Sequence, residues 1–149
     1  APSGQRPPHA LSGRLTMAAK RKFEARAQAL VGTRFRPQGR DENGLDCVGL
    51  MLAAYDLAPD LVRRDYRLAG DHEAEMRAAL KPHFRPVREA RPGDVLLCRI
   101  AERQMHFVIL TERGFVHAHA GIGRVVETPG APGWPVAGTF RRRSRQRKG

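Results

Sequence analysis

Apolar positions in the first half of the chain recur at the spacing of an α-helix. A stripe at i, i+4, i+7 and i+8 predicts one helix from Thr16 to about Val31, with Gly32 as a suitable residue to end it. The stripe consists of Phe23, Ala27, Leu30 and Val31. A second amphipathic pattern predicts a helix from Asp71 to about Leu80.

Between these two patterns lies a stretch that is apolar on most of its sides. Residues 45–58 read LDCVGLMLAAYDLA, which predicts a helix buried in the core. Asp46 is a favourable N-cap residue for this helix because its carboxylate can accept the unpaired N–H groups of the first turn. The helix would then place Cys47 in that first turn.

The second half of the chain has the pattern of consecutive strands. The turn signal Pro92-Gly93 is followed by five strand-like runs: DVLLCRI, MHFVILT, GFVHAH, GRVVET and VAGTFRR. Helices followed by a series of strands are typical of the α+β class. We therefore expect N-terminal helices packed on a central antiparallel sheet of about five strands.

Charge is concentrated at the two ends of the chain. The net charge is +12, of which residues 1–40 contribute +8 and residues 141–149 contribute +6, so that the middle is close to neutral. Basic ends attract polyanions or an acidic partner, but short charged termini are also often only solvated tails. No apolar run approaches the length of a membrane span, and residues 1–14 lack the apolar stretch of a secretory signal. We expect a soluble protein that something else carries to its site of action.

The chain has two cysteines, Cys47 and Cys98, which are too few for a disulfide scaffold. A thiol at a helix N-terminus lies at the positive end of the helix dipole, which predicts a lowered pKa and a nucleophile at Cys47. The alternative is that Cys47 is a small buried hydrophobic residue. Cys98 lies inside a strand, where packing in the core is the favoured interpretation.

Three histidines fall on predicted neighbouring strands. His106 alternates with apolar residues in MHFVILT, and His117 and His119 share one face of GFVHAH. If residue 110 pairs with 115, His106 faces His119, whereas a two-residue slip makes it face His117. Periodicity leaves this choice open. A base held by a second polar residue is the arrangement of a catalytic triad, and a structural histidine or a metal pair is the alternative.

These segments, in this order, resemble the NlpC family of papain-like cell-wall peptidases. The resemblance rests on GTRFRPQGRDENGLDCVGL, RPGDVLL, MHFVIL and GFVHAH, and covers roughly residues 25–128. It implies a papain-like fold with Cys47 as nucleophile, His106 as general base and His117 as the residue that orients the base. It implies no metal and no other cofactor.

The same resemblance assigns three further residues to substrate binding, namely Phe35, Asp46 and His119. The family usually has Tyr where this chain has Phe35, and the Tyr hydroxyl is thought to lie near the attacked carbonyl. The resemblance also implies that the Cys47 backbone N–H contributes to an oxyanion hole.

The variant GRD…GLDCVGL is most similar to the phage-tail and gene-transfer-agent branch of the family. This implies a peptidase made in the bacterial cytoplasm, carried on a tail hub or tip, and acting on peptidoglycan, with neighbouring tail proteins as partners. The expected layout is an extended arm at 1–15, a peptidase domain at 16–140 and a basic tail at 141–149. The alternatives are a tail-assembly protein with the same fold and little activity, and a basic nucleic-acid-binding protein. The near-neutral middle argues against nucleic acid as a specific ligand.

Overall fold

The computed structural model describes residues 22–62, 73–102 and 104–143. The N-terminal arm, the predicted start at Thr16 and the predicted start at Asp71 lie outside the described residues. We name the helices α1 (22–29), α2 (Cys47–Ala54) and α3 (Glu73–Leu80). The strands are β1 (Arg40–Asp41), β2 (Gly44–Leu45), β3 (Phe84–Pro86), β4 (Val95–Ala101), β5 (Gln104–Leu110), β6 (Gly114–His119), β7 (Arg124–Pro129) and β8 (Val136–Arg142).

The main sheet has six antiparallel strands in the order β3-β8-β4-β5-β6-β7. The predicted α+β class and all five predicted strands are confirmed. The sixth strand, β3, was not expected because it has only three residues and ends in Pro86, which leaves no alternation to detect. Proline is tolerated there because β3 lies at the edge of the sheet formed by the described residues. β1 and β2 form a separate small hairpin.

Apolar side chains cover both faces of the main sheet. The larger cluster joins the helices to one face, through residues such as Ala27, Leu50, Phe107 and Ile109. On the opposite face a smaller cluster contains Leu96, Cys98, Val108 and Phe115, with Trp134 packed against it. Cys98 is fully buried, as predicted for a core residue.

The helical stripe predicted in the first segment is only partly correct. Ala27 is fully buried, and Phe23 and Leu30 pack against the core, but helix α1 ends at residue 29. Val31 lies in the turn that follows and is 42% exposed. Gly32 has φ +98, a left-handed conformation that favours glycine, so the chain turns away where the sequence predicted a stop.

The entry to β4 is fixed by Asp94, which the Pro-Gly turn signal precedes. One carboxylate oxygen accepts the Arg91 N–H, and both oxygens accept from the Arg141 guanidinium at 2.9 Å. Arg141 belongs to β8, which continues to Arg142 and so extends into the segment expected to be a basic tail. Residues 144–149 lie outside the described part. None of the helices in the described segments is long and apolar enough to cross a membrane.

Candidate active site

A cleft of about 250 Å³ lies beside the first turn of α2. All six residues that the sequence assigned to the site border it: Phe35, Asp46, Cys47, His106, His117 and His119. The rest of its lining is mostly apolar and includes Ile100, Met105, Ala118 and Trp134, with Gln104 as a further polar residue. Phe35 and His119, which lie 84 positions apart in the sequence, therefore border the same cleft.

Asp46 fixes the start of α2. It is the N-cap residue, with extended backbone angles, and one carboxylate oxygen accepts the Gly49 N–H at 2.9 Å. The other oxygen accepts the Gln38 N–H at 2.7 Å, which ties the preceding loop to the helix. Asp46 is fully buried, so its contacts are those of a helix cap, although it borders the cleft.

Close backbone packing also holds this end of the helix. A Cβ atom built on Gly49 would lie 2.0 Å from the carbonyl oxygen of Gly39 in the preceding loop. Only glycine allows such an approach at this position. The helix start is therefore held by the cap and by direct contact with the loop, and Cys47 is placed by local backbone geometry.

The thiol of Cys47 is protonated at neutral pH. It is 6% exposed, and burial, followed by the neighbouring Asp46 carboxylate, raises its pKa to about 12. A hydrogen bond from the backbone of Phe107, the Arg40 charge and the Cys47 N–H act in the opposite direction. The prediction of a lowered pKa is therefore wrong, because desolvation outweighs the effect of the helix N-terminus.

His106 and His117 form a hydrogen-bonded pair on the wall of the cleft. Nε2 of His106 lies 3.1 Å from Nδ1 of His117, and both residues are buried. Which nitrogen donates depends on the tautomers. The expected contact between these two histidines is present.

The strand register is one of the two that the sequence allowed, but the histidine that His106 contacts is not the one expected from that register. β5 and β6 pair through Leu110 with Phe115 and Ile109 with Val116, the register for which flat alternation places His106 opposite His119. The contact of His106 is nevertheless with His117. Diagonal neighbours in a twisted antiparallel pair come within reach of long side chains, so the register and the ring contact are compatible.

Two residues that the sequence did not single out touch this pair. Thr128 Oγ1, on β7, lies 3.4 Å from Nε2 of His117. Trp134 approaches both imidazoles, with ring centroids 5.6 Å from His106 and 5.7 Å from His117. Finding Thr128 requires the β6–β7 register, whereas a lone tryptophan in the turn-rich stretch PGAPGWPVAG could have been marked from the sequence.

Backbone irregularity in β8 accompanies the placement of Trp134. The pairing of β4 with β8 shifts between Leu97 and Cys98, because Leu97 faces Gly138 whereas Cys98 faces Val136. Just before this shift, the carbonyl of Pro135 accepts the Arg99 N–H at 2.9 Å. Bulges of this kind redirect neighbouring side chains, and here the adjacent Trp134 lies against the histidine pair.

Both histidines of the pair are neutral at pH 7. Burial, followed by the charges of His117 and His119, lowers the pKa of His106 to about 3. Burial and His119 lower the pKa of His117 to about 4. The resting site thus combines a protonated thiol with two neutral imidazoles, and a neutral imidazole can accept a proton.

Across residues 22–62, 73–102 and 104–143, no group of three or more His, Cys, Asp and Glu side chains is placed to hold a metal ion. The groups that border the cleft include a thiol, neutral imidazoles and hydrogen-bond donors. This set of groups is suited to nucleophilic attack on a carbonyl.

Comparisons with known proteins indicate the family and the fold of this chain. Residues 32–137 match the model of the NlpC/P60 family. No curated protein matches the chain. Among solved structures, NlpC1 from Trichomonas vaginalis is similar with a TM-score of 0.61 and 20% identity over 83% of this chain and 44% of that protein. The NlpC/p60 domain of the peptidoglycan hydrolase SagA is similar with a TM-score of 0.50 and 21% identity over 74% of this chain and 88% of that domain.

The two structural similarities extend over most of this chain but concern its fold. This chain spans less than half of the Trichomonas protein. The family match covers more than two thirds of the 149 residues, and it includes Cys47, His106 and His117. The chain has a papain-like α+β fold and belongs to the NlpC/P60 family.

Proposed function

We propose that this protein is a cysteine peptidase that hydrolyses an amide bond in the stem peptides of peptidoglycan. The observation that carries the proposal is the meeting of Cys47 with the hydrogen-bonded pair His106–His117 in one cleft. Family membership supports the reaction class. The similar SagA domain comes from a peptidoglycan hydrolase, which supports the substrate.

In this mechanism the thiol is activated at the moment of attack. Since the pKa of Cys47 is raised to about 12 and that of His106 is lowered to about 3, a resting thiolate–imidazolium pair is disfavoured. His106 takes the thiol proton as the sulfur attacks the carbonyl carbon, so that no charged pair has to be stored in a buried cleft. The developing imidazolium is stabilised by its contact with His117.

The contact between His106 and His117 supports Nδ1 of His106 as the nitrogen that acts as the base. Nε2 of His106 faces His117, so Nδ1 is the nitrogen left for the thiol proton. For Nδ1 to accept, His106 carries its proton on Nε2 and donates it to Nδ1 of His117. His117 then carries its own proton on Nε2, directed to the hydroxyl oxygen of Thr128.

The bond changes follow the usual order of acyl transfer. The S–C bond forms, and His106 passes its proton to the leaving nitrogen as the C–N bond breaks, which leaves a thioester on Cys47. Water then attacks the thioester while His106 accepts its proton, and the thiol is released. The N–H of Cys47, in the first turn of α2, can donate to the oxyanion.

The test is digestion of purified peptidoglycan, with mass spectrometry of the released fragments. The wild-type protein should release stem-peptide fragments, and Cys47→Ala should release none while remaining folded by circular dichroism. Cys98→Ala is the matched control, because it removes the other buried thiol and should remain active. Activity in a folded Cys47→Ala variant would refute the proposal, and inactivity of the wild type would favour a structural protein with this fold.

We further propose that the peptidase acts as part of a phage-like tail. The support is the resemblance of the segment around Cys47 and the positive charge at both ends of the sequence. Deletion of residues 1–15 and 144–149 should leave peptidoglycan cleavage intact and prevent incorporation into particles. Normal assembly of the truncated protein would show that the ends are not the attachment sites.

A further inference from the structure

His119 lies at the end of β6 and borders the same cleft as Cys47. The backbone N–H of Ile122 donates to Nδ1 of His119 at 3.1 Å. A backbone N–H can only donate, so Nδ1 must be the unprotonated nitrogen. The neutral ring therefore carries its proton on Nε2, and a backbone N–H of the following turn selects this tautomer.

The turn that follows β6 also fixes the orientation of the His119 imidazole ring. A Cβ built on Gly121 would lie 3.1 Å from Cε1 and 3.4 Å from Nδ1 of His119. The Nδ1–Cε1 edge thus faces the turn, which leaves the Nε2–Cδ2 edge on the other side of the ring. The ring is half-buried, and its centroid is 5.3 Å from that of His117.

The proposed reaction requires hydrogen-bond donors at the attacked carbonyl oxygen, beside Cys47. Attack by Cys47 turns the carbonyl oxygen into an oxyanion, which preorganised donors stabilise. The Cys47 N–H can provide one hydrogen bond. Phe35 borders the same cleft but has no donor group. His106 and His117 are engaged with each other and with Thr128.

We infer that His119, through its Nε2–H, donates a hydrogen bond to the carbonyl oxygen of the scissile amide and to the oxyanion that forms from it. This assignment rests on the proposed peptidase function and adds a substrate-contacting residue to it. His119 cannot act as a base through Nδ1 in this arrangement, because that nitrogen accepts from Ile122. Its role is that of a fixed donor.

The kinetic test compares His119 variants on purified peptidoglycan. Loss of one oxyanion donor lowers kcat by roughly 10²-fold or more, so His119→Ala should show a loss of this order with little change in KM. His119→Gln retains an N–H donor and should recover part of the rate. Gln104→Ala is the matched control, because it removes another half-buried polar side chain that borders the cleft. Its kcat should fall much less than that of His119→Ala. A wild-type kcat in His119→Ala would overturn the inference.

A second variant tests whether His119 supplies the hydrogen bond that Phe35, which has no donor group, cannot supply. Phe35→Tyr places a hydroxyl in the same cleft. It should raise the rate of His119→Ala at least about tenfold, since it replaces a lost oxyanion donor, but should change the wild-type rate far less. An equal effect of Phe35→Tyr in both backgrounds would mean that the two positions do not serve one oxygen, and would overturn the assignment.

The tautomer can be measured without any activity. In ¹⁵N NMR spectra of the free protein, the neutral form of the His119 ring should show a protonated Nε2 and an unprotonated Nδ1. The opposite tautomer would overturn the inference even if the protein cleaves peptidoglycan. Conversely, an active Cys47→Ala variant would refute the proposed function itself, so the two failures are distinguishable.

Discussion

The two sides of the cleft are built in different ways. On one side, Cys47 is placed by the local chain: the Asp46 cap, the tie to Gln38 and the contact of Gly49 with the preceding loop. On the other side, His106 is placed by side chains from three further segments: His117, Thr128 and Trp134. The nucleophile therefore depends on backbone geometry near it in sequence, and the base depends on packing between strands.

The largest effect that this comparison predicts is at His106. His106→Ala should lower kcat by about 10²–10⁴-fold, because the protonated thiol of Cys47 then has no positioned base. The measurement is the initial rate of fragment release from peptidoglycan, together with the free energy of unfolding in urea. A rate within a few-fold of wild type would show that the thiol does not need this histidine.

On the nucleophile side, the sensitive position is Gly49. Gly49→Ala should destabilise the fold by about 3 kcal/mol, because its Cβ would meet the Gly39 carbonyl and neither backbone can move freely. Urea unfolding measures this loss. Gly133→Ala is the control, since a Cβ there meets nothing within 4 Å. Equal stability of both variants would contradict local backbone control of Cys47.

The buried pair His106–His117 should make the stability of the fold depend on pH. Because the folded pKa values of His106 and His117 are about 3 and about 4, the unfolded chain binds more protons below its own histidine pKa near 6.5. Stability should therefore fall as pH decreases from 6.5 to 5, by roughly 1–2 kcal/mol for each histidine.

Urea unfolding at pH 7 and pH 5 checks this acid response. His117→Gln should reduce the difference between the two pH values. The control His83→Gln changes a half-buried histidine that does not border the cleft and should leave the difference unchanged. An unchanged difference in His117→Gln would mean that the pair is not buried in its neutral form.

The smallest effect is expected at Thr128. Thr128→Val keeps the shape but removes the hydroxyl that lies 3.4 Å from Nε2 of His117, and should lower kcat by about 3–10-fold, as for the loss of one hydrogen bond of about 1 kcal/mol. Thr128→Ser retains the hydroxyl and should be close to wild type. The relative kcat values of the two variants, with KM unchanged, separate a positioning role from a substrate contact.

The different ways in which Cys47 and His106 are placed also explain how much of the site could be predicted from the sequence. The cap at Asp46 and the position of Cys47 depend on signals within a few residues, so both were predictable. The strands around His106 and His117 were predictable from alternation, but the ring contact depends on strand twist and register. The contact of Thr128 depends on the β6–β7 pairing, which no local pattern encodes. Trp134 stands out in its turn-rich stretch, but its contact with the histidines depends on the irregularity in β8.

The direction of the Cys47 pKa was predicted wrongly for a related reason. The helix N-terminus is a local feature and can be read from the sequence. The burial that outweighs it comes from strands and loops far along the chain. Likewise Val31 continued a helical stripe in the sequence, but the helix ends before it is reached.

The most direct test of the account is alkylation with iodoacetamide, with peptide mapping of the labelled cysteine and a parallel assay on peptidoglycan. We expect that labelling occurs at Cys47, that its rate still rises with pH above 9 because the pKa of Cys47 is raised to about 12, and that activity falls in proportion to the label. Cys98, which is fully buried, should remain unlabelled in the folded protein. Full cleavage activity in protein whose Cys47 is completely alkylated would contradict the account.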